Sequence, residues 1–147
     1  MQISSTAFTN NGNIPDKFTC IGQNINPELE FSGAPADTQT LALIMDDPDA
    51  PSGTFTHWVV FNIKPSVNKI PEGAGIVPGT TAKNSAGLKS YTGPCPPSGV
   101  HRYYFKLYAL DTILPADEII DKAHLQQAMS GHIIDQAELM GKFTKEK

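Results

Sequence analysis

The chain has 147 residues and a net charge of −4, and its 11 Lys and Arg are scattered without a basic run, so the electrostatic footprint of a nucleic-acid-binding protein is absent. A hydrophobic share of 39% and a charged share of 18% fit a globule forming one domain over 1–147, and 12 Gly with 12 Pro favour short strands and many turns over long helices. No run approaches the roughly 18 apolar residues of a membrane span, and the opening MQISSTAFTNNG lacks the basic and apolar pattern of a leader, so a cytoplasmic location is expected.

In chain order, the first strand signal is the alternation Leu29-Glu30-Phe31, followed by a turn in SGAPADT, Ser32 to Thr38. Leu41 to Met45, LALIM, reads as a strand buried on both faces that stops on the acids and prolines of DDPDAP. The next strand, Thr54 to Ile63, is expected to put Phe55, His57, Val59, Phe61 and Ile63 on one face, because side chains two apart in a strand point the same way. His57 then sits on an apolar face.

Pro65 to Gly99 is rich in Gly, Pro, Ser and Asn and reads as a long, ordered loop region of the kind that carries function. HRYYFKLYAL, His101 to Leu110, is a second alternating strand with His101, Tyr103, Phe105, Leu107 and Ala109 on one side. The tail reads as helical, since Leu125, Ala128, Met129, His132, Ile133, Gln136, Ala137 and Met140 keep a 3.6-residue rhythm, with Gly131 as a break and Gly141 as a stop.

Three strand ends thus bring polar groups toward an apolar interior: Asp47, His57, and His101 with Tyr103. If they converge they make a small polar pocket, with GPCPPSG, Gly93 to Gly99, as a stiff rim whose prolines donate no N–H. Each also has an ordinary structural role: Asp47 and Asp49 as turn residues, the histidines and Tyr103 as satisfied core groups, the prolines as a plain connection. The same residues permit two catalytic readings. Asp47, His57 and His101 could form a two-histidine, one-carboxylate metal triad, although paired HxH or HxxxH spacing is missing; Cys95 or Ser98 could be a nucleophile with His101 as base, although no nucleophile-elbow motif is present. Cys20 and Cys95, the two cysteines, cannot make a disulfide framework or a Cys-only zinc site, and whether they pair is left open by the sequence.

DDPDAPSGTFTHWVVFNI followed by GPCPPSGVHRYYFKLYALD resembles the two signature blocks of the phosphatidylethanolamine-binding protein family, which includes the Raf kinase inhibitor protein. FTCIGQNINPELEFSGAP and GHIIDQAELMGKF resemble the flanks of its short bacterial and archaeal Raf-kinase-inhibitor-like members, so the resemblance covers nearly the whole chain. It implies a mainly β fold, an antiparallel two-sheet β-sandwich with a few short helices. It also implies a non-catalytic, regulatory ligand-binding protein whose pocket accepts phosphate or phospho head groups through Asp47, His57, Cys95, Pro96, Pro97, His101 and Tyr103, with no cofactor. Cys95 stands where animal members have a glycine. The expected partner is a small anionic ligand or phospholipid head group; a kinase or protease target and a second copy of the chain are left open.

Overall fold

The computed structural model describes residues 1–145. Eight strands form two antiparallel sheets. The smaller has the order β1 (Gln2–Ser4), β2 (Leu29–Ser32), β5 (Lys69–Ile70); the larger runs β6 (Thr80–Thr81), β4 (Phe55–Ile63), β3 (Thr40–Asp47), β7 (His101–Leu110), β8 (Ile133–Phe143). One α-helix, α1 (Lys122–Met129), occurs among the described residues, capped by Asp121, whose carboxylate accepts the His124 N–H at 3.1 Å. Two isolated turns of 3-10 helix, Asp16–Phe18 and Ala116–Glu118, complete the regular structure.

The central strand β3 is buried along its whole length, as its unbroken apolar run requires, because each face packs on a different layer. Leu41, Leu43 and Met45 join Leu29, Phe31 and Ile70 of the smaller sheet in the inter-sheet core. Ala42 and Ile44 face the other way, onto Leu125 and Met129 of α1. Asp46, on that second face, is only 2% exposed; it accepts from Thr56 Oγ1 at 2.9 Å and Lys122 Nζ at 2.7 Å, so its charge is compensated where it is desolvated.

Two expectations change. The single-face assignment for β4 fails because the strand carries two extra residues relative to β3. Asp46 lies opposite Thr56 but Met45 opposite Trp58, so His57 is a bulge; Leu43 lies opposite Val60 but Leu41 opposite Ile63, which places a second irregularity around Asn62, at φ +53°. Each extra residue reverses the alternation. Trp58, Val60 and Ile63 therefore enter the inter-sheet core, whereas Val59 and Phe61 turn to the helix layer.

The helical tail is also corrected. The helix ends at Met129, Gly131 turns the chain at φ +82°, and residues 133–143 form β8, paired with β7 from His101 opposite Phe143 to Leu110 opposite Ile133. A ladder of that length, with Leu139, Gly141 and Phe143 buried on alternate positions, outweighs the local 3.6-residue rhythm. Gly141 is not a stop. A Cβ there would meet Ile14 Cγ1 at 2.5 Å and Phe8 Cε2 at 2.8 Å, so it lets the N-terminal segment close against β8.

Candidate functional site

The carboxyl end of β3 and the starts of β4 and β7 meet at one end of the sandwich around a cavity of about 190 Å³, closed on one side by the 92–97 segment. All seven residues singled out from the sequence line it: Asp47, His57, Cys95, Pro96, Pro97, His101 and Tyr103.

Asp47 and His101 are both buried and form an ion-pair-ready contact, Oδ2 to Nδ1 at 2.6 Å. The other Asp47 oxygen accepts the Asp49 N–H at 2.8 Å, so the DPDAP turn orients the carboxylate with its own backbone. A carboxylate is acceptor-only, so His101 Nδ1 carries the proton and its Nε2 is left for the cavity. Outside this pair, Asp49 accepts from the Arg102 guanidinium at 2.7 and 2.9 Å, and that hydrogen-bonded cation holds its carboxyl down to about 2.

His57 is fixed from the opposite wall. Its Nδ1 lies 2.6 Å from the Thr92 carbonyl oxygen, also acceptor-only, so Nδ1 carries the proton there too. Burial lowers the pKa of this imidazole, outweighing the Thr92 carbonyl and the charges of Asp47 and Asp46, which act the other way. Tyr103 sits between the histidines, its ring 5.3 Å from that of His57 and 6.4 Å from that of His101. Its hydroxyl is buried with no well-aligned hydrogen bond, the Asp47 carboxylate being the polar group that acts on it, and burial, then the charges of Asp47 and Asp49, then the Asp47 contact push the phenol well above its usual value.

The rim is held by contacts that are distant in sequence. Cys20 and Cys95 form a disulfide, resolving the pairing left open above, and the Cys20 N–H donates to the Pro94 carbonyl at 3.1 Å. The Gly93 N–H donates to Asn24 Oδ1 at 2.8 Å, and Tyr91 Oη to the Phe18 carbonyl at 2.7 Å, so the 18–24 turn buttresses the whole 91–95 segment. A Cβ at Gly93 would lie 2.3 Å from the Phe18 oxygen, which excludes larger residues from that contact. Asn84 reaches the His57 and Ser90 carbonyls at 3.0 and 2.9 Å and Thr92 Oγ1 at 2.9 Å, tying the rim back to β4. Thr92, Phe55 and Pro51 line the cavity without having been singled out; for Thr92 the contributing group is a backbone carbonyl, which leaves no mark in residue type.

As for the catalytic readings, Cys95 Sγ is committed to the disulfide. Among the described residues, no three His, Cys, Asp or Glu side chains are grouped to hold a metal ion.

Fold and site together define an antiparallel β-sandwich with a cavity at a strand-end cluster of carboxylate, imidazoles and phenol. The phosphatidylethanolamine-binding protein family model matches residues 4–144, and the chain belongs to that family. It is 45% identical over 150 residues to the UPF0098 protein of Methanothermobacter thermautotrophicus, covering 99% of each chain. Among solved structures it is similar to a putative phosphatidylethanolamine-binding protein homologue of Chlamydia trachomatis, at TM-score 0.94 and 43% identity over 99% of this chain and 97% of that one. It is also similar to Escherichia coli YbcL, described as a member of the mammalian PEBP family, at TM-score 0.90 and 28% identity over 99% and 98%.

Proposed function

We propose that the chain is a non-catalytic, regulatory ligand-binding protein whose end cavity takes a phosphate or phospho head group. The observation that carries this reading is the buried Asp47–His101 pair in the cavity wall, in which Asp47 holds His101 Nδ1 at 2.6 Å and the other ring nitrogen keeps no hydrogen-bond partner among the described residues. His101 gives its Nδ1–H to Asp47, so an anion in the cavity is met by a hydrogen on its Nε2. The cavity suits a head group rather than a whole lipid.

A hydrolytic reading is less well supported, since Ser98 is exposed on the rim and makes no hydrogen bond with His101, and Cys95 is disulfide-bonded. Inhibition of a kinase or protease and pairing with a second copy rest on the resemblance alone. No helix among the described residues is long and apolar enough to cross a membrane. The Cys20–Cys95 disulfide favours a compartment that keeps it oxidised over the reducing cytoplasm expected from the start of the chain.

Calorimetric titration with O-phosphoethanolamine tests the reading. His101→Ala is expected to weaken binding by about 1.5–3 kcal/mol, one charge-assisted hydrogen bond. His124→Ala, on the exposed surface of α1, is expected to leave it unchanged. Binding that survives His101→Ala at full strength, or no binding by the folded protein, would overturn it.

A further inference from the structure

The two histidines of the cavity are not equivalent. His101 is backed by a carboxylate, so a second proton on its ring meets a compensating charge. His57 is backed by a neutral carbonyl at 2.6 Å, which takes its Nδ1–H and fixes the tautomer; with Nδ1 protonated, Nε2 of the neutral ring presents a lone pair. Among the described residues that Nε2 has no hydrogen-bond partner, and the ring forms part of the cavity wall. His57 keeps the face of Phe55, its ring 4.8 Å away, and the bulge at His57 then turns Trp58 into the inter-sheet core.

An acceptor facing an anion is unfavourable unless the anion brings a hydrogen of its own. A fully deprotonated oxyanion offers only lone pairs, leaving His57 Nε2 desolvated and unpaired, whereas an acid oxyanion offers an O–H. We propose that His57 is a specificity-determining acceptor that makes this cavity select oxyanions bearing an acid proton, of which the phosphomonoester monoanion is the type, over proton-free anions of the same size and charge. The proposal rests on the anion-binding reading above. The ligand's P–O–H donates to His57 Nε2, and its remaining oxygens accept from His101 Nε2–H and the Tyr103 hydroxyl.

Burial acts in the same direction, lowering the pKa of His57 and so favouring its neutral form, while phosphomonoesters, with a second pKa of about 6, carry one proton in mildly acidic solution. The groups facing His57 are Asp47 at the end of β3, His101 and Tyr103 from β7, Phe55 on its own strand and the Thr92 carbonyl from the rim, with the charge of Asp46 reaching it from the opposite face of the sheet. Their titration acts on any bound anion, so a ratio of two affinities cancels most of it.

Methyl phosphate and methyl sulfate supply that ratio. Below about pH 6 both are monoanions of one shape, and only the phosphate carries a proton. Calorimetric titration at pH 5 is expected to give methyl phosphate an affinity at least ~30-fold higher, the scale of one buried acceptor left unpaired. That preference is expected to shrink about tenfold per pH unit above ~6 as the ligand loses its proton. His57→Gln, whose amide turns either its oxygen or its NH₂ to the ligand, is expected to bring the two within about threefold of each other. Nitrogen NMR of the wild-type imidazoles is expected to place the His57 proton on Nδ1 with Nε2 bare. Equal affinities for the two methyl esters in the wild-type protein would overturn the role of His57 while leaving anion binding intact. No binding of either ester would overturn both.

Discussion

The cavity rim depends on one covalent tie, and removing it has a calculable consequence. The Cys20–Cys95 bond joins residues 75 apart, so it closes most of the loop that contains β2 to β6. Closing a loop of that length removes about 4.5 kcal/mol of unfolded-state entropy at 25 °C in the chain-entropy model, and measured values cluster at about 2–4 kcal/mol. At roughly 3 °C per kcal/mol for a chain of this size, the Cys20→Ala, Cys95→Ala double variant is expected to melt about 6–12 °C below the oxidised wild type in scanning calorimetry. Reducing the wild type is expected to give a similar loss. Locally the rim keeps the Cys20 N–H to Pro94 and Gly93 N–H to Asn24 bonds, so amide exchange at Gly93 and residue 95 should quicken without the segment detaching. A melting temperature within about 2 °C of wild type, with the disulfide confirmed present in the latter by mass, would refute the reasoning.

Gly141→Ala places a methyl against Ile14 and Phe8, and the overpacking is expected to cost about 1–3 kcal/mol in denaturant unfolding. Folding stability should also depend on pH through two depressed groups. His57 has a lowered folded pKa, so its contribution is complete above the unfolded value near 6.5 and is lost as pH falls through that value toward the folded one. His57→Phe should flatten this segment of the stability profile. Asp49 follows the carboxylate pattern: its contribution is present above the ordinary side-chain value of 3.8 and is lost as pH falls toward about 2. Because the Asp49–Arg102 pair is solvent-accessible, Arg102→Ala is expected to change stability little at neutral pH and to remove the acid step. Treatment with a chelator is expected to leave O-phosphoethanolamine binding and the melting temperature unchanged, as read by calorimetry before and after.

The elements that were legible in the sequence are those whose pattern and environment agree. His101–Leu110 forms a strand with the expected termini, and its alternate residues Tyr103, Phe105, Leu107 and Ala109 all enter the inter-sheet core. The unbroken LALIM run could only be a strand covered on both sides, and it is the centre of the larger sheet. Where the reading failed, one position in the chain carried information from elsewhere. A bulge is set by what the partner strand needs, so nothing in FTHWVVFNI reveals that His57 and Trp58 share a face. His57 was nevertheless placed correctly because the expected face for Phe55 and His57 applies before the bulge resets the alternation. The tail's 3.6-residue rhythm pointed to helix, and the long ladder with β7, a contact the local pattern does not contain, makes it a strand. The rim buttress, in which residues 18–24 hold 91–95, joins segments about 70 residues apart and works largely through backbone groups, which residue identity does not encode.

The most direct test of the central claim is a crystal structure of the protein grown or soaked with O-phosphoethanolamine at mildly acidic pH. The expected result is phosphate density in the end cavity, with its oxygens within hydrogen-bond distance of His101 Nε2, the Tyr103 hydroxyl and His57 Nε2, and with the Asp47–His101 contact unchanged. An empty cavity at ligand concentrations that saturate binding in solution, with the phosphate found elsewhere on the surface, would contradict it.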